Sequence, residues 1–321
     1  MALGPGAGPH GGEIVGSGPG ADWELGELGE GDLARKLTSA AGTADGAGTI
    51  ELRGATLHNL RSADLTIELG RFQVVIGPSG AGKTSLVFGT LLPALRGARG
   101  GPFQALEVPP GVRVEAVDAR PMGRSSRSTP ATWSGAFDGI RKAFAATGEA
   151  KSAGLTASDF SFNGKSGRCD RCEGLGVVRV GLHLLEDAVQ TCGACGGARY
   201  QPGVLAVRLG GRTIADVLGL SIEDALPYFR EQSVATTVTA PLAAMVELGV
   251  GYLRLGTPST RLSSGEAQRI RLATLLSREK MKPSLFLFDE PDRGLDPGDI
   301  RRLLHALFGL CQRGHTVVAI S

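Results

Sequence analysis

The sequence predicts an α/β fold on a parallel sheet, split by an inserted module. Three observations carry this. Strand-like runs at FQVVIG, SLFLFDE and HTVVAIS are mostly apolar on both faces, as strands covered on each side must be. Helical periodicity follows the first run and precedes the last. Finally, Lys83 and Asp289 lie 206 residues apart, and the interval holds two CxxC pairs.

Taken in order, residues 1–46 carry thirteen Gly and seven acidic residues against two basic ones, without sustained periodicity, and read as a linker or a detached edge. TIEL from Thr49 and LTIEL from Leu65 read as short strands, and FQVVIG runs straight into a glycine loop. Lys83 to Leu92 reads as a helix. Near the end, Ile300, Leu303, Leu304, Leu307, Phe308 and Cys311 share one apolar helical face, with Pro297 near its start and Gly314 past its end. Cys311 on that face reads as core.

At 321 residues and 42% hydrophobic content the chain is long and apolar enough for about two domains. Lys and Arg number 34 against 32 Asp and Glu, too balanced for a protein that binds nucleic acid through bulk charge, so any such contact needs a local patch. No run approaches 18 apolar residues, and the N-terminus lacks a signal pattern, so no membrane role is expected and the cytoplasm is the expected compartment. Five Cys are few for a disulfide scaffold.

Gly77, Pro78, Ser79, Gly80, Ala81, Gly82, Lys83 and Thr84 satisfy GxxxxGK[ST] between a strand and a helix. Small residues let backbone N–H groups and the helix N-terminus, through Ser85, converge on phosphates; Lys83 reaches the terminal ones and Thr84 can ligate Mg²⁺. Asp289 and Glu290 end the run FLFDE, where the first can hold the same Mg²⁺ and the second can deprotonate an attacking water. Alone, such a pair is more often a solvated strand end; joined to the loop it supplies the second half of a phosphate-binding site. Ser263, Ser264, Gly265 and Glu266 open a helical run, with Ser263 placed to cap it. With these three motifs in this order the chain resembles an ABC-type ATPase. That resemblance implies that Ser263, Gly265 and Glu266 face nucleotide bound by a partner domain and that Asp296 lies in the loop crossing that interface.

Cys169, Cys172, Cys192 and Cys195 form two CxxC pairs separated by 19 residues, a spacing suited to a closed, structural Zn²⁺ site. The repeats CEGLG and CGACGG also resemble J-domain co-chaperone zinc modules, which keeps a protein-binding role open. Residues 120–171 hold nine Lys and Arg against four acids. Ser128, Thr129, Thr132, Trp133, Phe160 and Phe162 are interspersed and would suit phosphate contact and base stacking, although a solvated face explains the charge as well. Arg124, Arg127, Lys165, Arg168 and Arg171 are the DNA-contact candidates.

Over most of the chain these residues resemble the UvrA family of ABC-type damage-recognition subunits. The resemblance runs through IELRGATLHNL, GPSGAGKT, VDARPMGRSSRSTPATWSGAFDGIRKAF, FSFNGKSGRCDRC, the paired CxxC, LSSGEAQRIRLA, FLFDEP and VVAIS. Residues 4–15 look like the closing segment of that family's first ATPase half. It implies a division into 1–46 (linker or tail of a preceding ATPase half), 47–117 (first part of the ATPase domain), 118–255 (zinc-containing α+β insert) and 256–321 (second part, C-terminally incomplete). It also implies ATP, Mg²⁺ and Zn²⁺ as cofactors, damaged duplex DNA as ligand, and no nuclease activity of its own. A second ATPase half or a homodimer, and a UvrB-like protein, are the implied partners. Three departures bear on turnover: Ala119 stands where the family usually has Gln, Ser264 replaces the first of two signature glycines, and the chain stops at Ser321 where the family places a switch His. Slow hydrolysis by this chain alone is the expectation. Two rivals share the motifs: a UvrA-like self-resistance protein acting on intercalator-loaded DNA, and a non-catalytic interaction module with a decayed nucleotide site. A transporter ATPase is disfavoured by the long zinc insert.

Overall fold

The computed structural model describes residues 2–4, 12–16, 48–98, 100–117, 125–182, 185–278, 281–292 and 297–321. Ala119, Arg124 and Asp296 lie outside them. Two compact units emerge: Met1–Arg120 with Arg278–Ser321, and Pro121–Ser277.

In the first unit, β1 (Ala2–Gly4) pairs antiparallel with β2 (Glu13–Gly16). β3 (Thr49–Ala55) runs antiparallel to both β4 (Ala63–Glu68) and β6 (Ala105–Glu107). β5 (Phe72–Val75), β7 (Val114–Val117), β10 (Leu285–Asp289) and β11 (Thr316–Ile320) form a parallel sheet in the order β5-β11-β10-β7. The α/β class with a parallel sheet is therefore as the sequence predicts. Burial follows the sequence pattern. ADLTIE alternates buried and exposed along β4, whereas TVVAI is buried at every position of β11, as a central strand covered on both faces requires. Ile50, Leu52, Leu65 and Ile67 join Leu86, Val87, Leu287, Val318 and Ile320 in one core, so the antiparallel and parallel layers share their apolar faces with the helix that follows the glycine loop.

That helix opens as a wide π-type turn, Ser85–Leu91, and continues as α1 (Leu92–Leu95). The later helix spans Pro297–Gln312, buries Leu303, Leu307, Phe308 and Cys311 and is closed by Gly314 at φ 82°. Cys311 is core, its thiol pushed up to about 12 by burial.

His315, just before β11, is also buried; its Nδ1 accepts the Ser284 N–H at 3.2 Å and its ring lies edge-on to Phe286 at 5.2 Å. Burial, helped by Arg313, holds its pKa below the ordinary value. A folded state that resists protonation is fully stable above the unfolded pKa of about 6.5 and loses stability as pH falls below it. The melting midpoint is thus expected to drop between about pH 7 and pH 5, and to drop less in His315→Asn; parallel profiles would count against this role.

The second unit is mainly helical: α2 (Pro130–Trp133), α3 (Ala136–Ala145), α4 (Gly148–Ser152), α5 (Pro202–Leu205), α6 (Ile214–Gly219), α7 (Ile222–Glu231), α8 (Thr236–Glu247) and α9 (Ser264–Leu276), with one hairpin, β8 (Val177–Leu182) and β9 (Leu185–Thr191). Side-chain caps start several helices: Thr129 with Thr132, Thr147 on Ala150, Thr213 with Asp216 and Ser221 on Asp224. Its core is aromatic where α3 meets the segment before the first CxxC. Phe137 lies 4.9 Å from Phe162, and Phe144 lies 5.6 Å from Phe160. Among the described residues no helix is long and apolar enough to cross a membrane.

Candidate functional site

In the first unit, β5 delivers the chain into the glycine loop at the C-terminal edge of the parallel sheet. Gly80 (φ 80°) and Gly82 (φ 103°) take left-handed conformations that a side chain would resist. Lys83 is buried, and its ammonium folds back over the loop, donating to Gly77 O at 2.6 Å and Pro78 O at 3.2 Å. Leu86 N–H is bonded to Gly82 O at 2.8 Å, which leaves the N–H groups of the preceding helical residues facing the loop. Thr84 is exposed and Ser85 half-buried.

Asp289 ends β10. Its partner across the ladder is Ile320 of β11, and Ile320 is in turn the partner of Val75, the last residue of β5. The glycine loop and the Asp289–Glu290 pair therefore leave strands flanking β11 at one edge of one sheet, the edge at which open α/β sheets form their ligand crevice. Glu290 has φ 44°, held by its N–H on Ile320 O at 2.9 Å, and such backbone strain in a non-glycine residue gathers at functional positions. Ser321 then bonds Asp292 through its hydroxyl at 2.8 Å. Asn59, in the turn after β3, is a residue the sequence reading missed: its amide donates to Gly80 O at 2.9 Å and braces the loop from outside.

In the second unit, Ser263 caps α9 in a reciprocal box: Ser263 Oγ accepts Glu266 N–H at 3.2 Å, and Glu266 Oε2 accepts Ser263 N–H at 2.7 Å. Tyr252 adds a bond to Glu266 Oε1 at 2.5 Å. Burial works against the Glu266 charge, but Tyr252 and Ser263 outweigh it and hold the carboxyl below its usual range. Gly265 sits between them in the first turn. The Ser-x-x-Glu spacing signals the box; the Tyr252 contact, 14 residues upstream, has no sequence signature.

The four cysteines converge. Their sulfurs all lie within 4.8 Å of one another, with Cys169 to Cys192 at 4.0 Å and Cys172 to Cys195 at 3.7 Å. A tetrahedral ion with Zn–S bonds of about 2.3 Å sets its sulfurs about 3.8 Å apart, so the donor set fits zinc in chemistry and in size. The knuckles are held by main-chain bonds: Cys169 N–H to Arg199 O at 2.8 Å, Cys192 N–H to Gly176 O at 3.0 Å, and Gly176 N–H to Cys172 Sγ at 3.2 Å. The Cys195 N–H lowers the Cys192 thiol to about 7, while burial pushes Cys195 up to about 12.

The basic segment divides. Arg127 donates to Glu173 O at 2.8 Å and lies 3.4 Å from its carboxylate, and Arg168 reaches the other carboxylate oxygen at 3.8 Å. Lys165 and Arg171 are exposed. The expectation that Phe160 and Phe162 stack on bases is overturned: both are fully buried, because they complete the aromatic core with Phe137 and Phe144. Thr129 is likewise buried as a helix cap.

Comparison with known proteins gives a consistent picture. A family model described as "AAA domain, putative AbiEii toxin, Type IV TA system" matches residues 228–321. UvrABC system protein A of Thermus thermophilus is 42% identical over 335 residues, covering 99% of this chain and 34% of that protein. The Mycobacterium bovis protein of the same name is 40% identical, again over 99% of this chain and 34% of its own length. The crystal structure of UvrA2 from Deinococcus radiodurans superposes with a TM-score of 0.75 at 40% identity, over 86% of this chain and 35% of that one. The chain thus spans about a third of the length of the curated relatives it matches.

Proposed function

Because the chain belongs, over the segment it spans, to the UvrA family, we propose that it is the ATP-binding and ATP-hydrolysing part of a cytoplasmic damage-recognition subunit of nucleotide excision repair. In this reading it has no nuclease activity of its own. The observation that carries it is the glycine loop and the Asp289–Glu290 pair leaving one parallel sheet at one edge. Gly77 through Ser85 cradle the phosphates, and Lys83 neutralises the charge that develops on the γ-phosphoryl group. Thr84 and Asp289 would hold Mg²⁺, which would supply positive charge to offset that of the phosphates. Glu290 takes a proton from the attacking water as its oxygen bonds the γ-phosphorus and the bond from that phosphorus to the β–γ bridging oxygen breaks, giving ADP and inorganic phosphate. Ser263, Gly265 and Glu266, with Asp296, would serve the nucleotide of a second ATPase half or of a second copy. Cys169, Cys172, Cys192 and Cys195 would hold Zn²⁺ as a structural centre, and a UvrB-like protein is the repair partner.

The test is steady-state ATP hydrolysis with undamaged and ultraviolet-irradiated duplex. Slow turnover that rises several-fold with the damaged duplex is expected; equal rates on both would remove the repair reading. DNA contact is assigned to Arg124, Arg127, Lys165, Arg168 and Arg171, of which Lys165 and Arg171 are the exposed pair. Replacing both with Ala should weaken duplex binding and flatten the slope of log K against log salt by about 1.8, at about 0.9 for each lost phosphate contact. An unchanged slope would return these residues to the solvated surface.

A further inference from the structure

The turn between β3 and β4 touches the phosphate loop and the helix that follows it at four points. Asn59 donates to Gly80 O at 2.9 Å. Leu60 packs so close to Gly82 that a Cβ there would come within 2.9 Å of its Cδ2, and Leu57 lies 2.5 Å from where a Cβ on Gly89 would be. These three contacts are packing and bracing. The fourth differs in kind: His58 Nδ1 lies 3.0 Å from Ser85 Oγ, joining two polar side chains at the surface of the loop. His58 is exposed and holds φ 55°, a conformation that Gly or Asn adopts more easily.

We propose that His58 contacts the α-phosphate of bound nucleotide through Nε2, while Nδ1 stays on the Ser85 hydroxyl. This rests on the nucleotide-binding reading above. Lys83 serves the terminal phosphates and Thr84 the metal, so Ser85, one residue further into the helix, faces the next phosphate inward. Its N–H belongs to the first turn, which has no partner within the helix before Leu86 closes onto Gly82. A ring beside Ser85 Oγ therefore stands at the nucleoside end of the triphosphate. Among the described residues Ser85 is the only hydrogen-bond partner of the His58 ring. With the Ser85 hydroxyl donating to Nδ1, Nε2 carries a proton and is the nitrogen that donates to a phosphoryl oxygen.

The test compares the whole chain with His58→Asn, Ser85→Ala and Lys83→Ala, titrated with Mg-ATP, Mg-ADP and the two α-phosphorothioate diastereomers of ATP. Asn accepts the left-handed backbone, so His58→Asn should melt with the parent and isolate the loss of the ring. His58→Asn is expected to bind ATP and ADP about tenfold more weakly, the scale of one charge-assisted hydrogen bond. It should also lose discrimination between the diastereomers that the parent shows. Ser85→Ala should move in the same direction by a smaller factor. If His58→Asn binds ATP within twofold of the parent and keeps the discrimination while Lys83→Ala has lost binding, the His58 assignment is wrong and the nucleotide site stands. If Lys83→Ala binds as the parent does, or the parent binds no ATP, both fall.

Discussion

Replacing Cys192 with Ser, or stripping the metal with a chelator, is expected to open the hairpin Val177–Thr191 and its flanking knuckles to protease while the parallel sheet stays folded. The reason is the poverty of apolar packing around the cluster. Cys169, Cys172 and Cys192 are buried, yet among the described residues the hydrophobic side chains packed against them are Val178 and Cys195 itself, and Val189 on the hairpin is 59% exposed. An isolated two-stranded hairpin is marginal in water. Structural zinc in small peptides contributes about 10–16 kcal/mol to folding, far more than this hairpin can gain from its own contacts. Removal of one thiolate leaves three sulfurs, whose mutual spacing is set for a shared cation, without a complete shell. The check is metal content together with limited proteolysis: one zinc per parent chain, and cleavage within the hairpin after chelation. A metal-free protein whose hairpin resists protease as well as the parent would refute the structural-zinc assignment.

How far the sequence reveals the fold depends on how local the determinants are. β10 and β11 are legible because LFLFD and TVVAI are apolar without interruption, and the Pro297–Gln312 helix because its period and its closing glycine are both local. β7 escapes notice: VEAV is short and carries a charge, and it is a strand only because β10 offers it a ladder at the sheet edge. The helices of the second unit are also obscured. Pro227 and Pro241 lie inside α7 and α8, although proline removes a helical hydrogen bond and ordinarily disfavours a helix interior. At the candidate site the spacing rules pick out the loop, the acidic pair and each CxxC pair, since each of these motifs depends on close neighbours in the chain. What they missed is long-range. Asn59 bracing Gly80 and Tyr252 holding Glu266 are contacts across 21 and 14 residues that leave no pattern in the chain. Phe160 and Phe162 show the opposite error, in which an aromatic beside basic residues resembles a stacking platform until burial shows it is core.

The other large effect expected is a clean division between two substitutions at the nucleotide site. Lys83→Ala should weaken ATP binding on the order of a hundredfold, because a hydrogen bond to a charged group contributes up to about 3 kcal/mol. It also orphans Gly77 O and Pro78 O, which the ammonium now satisfies at 2.6 and 3.2 Å. Glu290→Gln should behave differently. Gln matches Glu in shape, and the main-chain bond to Ile320 O that fixes the residue does not involve its side chain. ATP affinity is thus expected to remain within about twofold of the parent, since the carboxylate is asked to act on water and not on nucleotide. Turnover should fall by about 10²–10⁴, the range a general base contributes. Equilibrium titration with Mg-ATP and single-turnover hydrolysis, run on both variants, separate the two roles. Should Glu290→Gln lose affinity as severely as Lys83→Ala, the carboxylate is holding the site together and the water-activating role passes to another group.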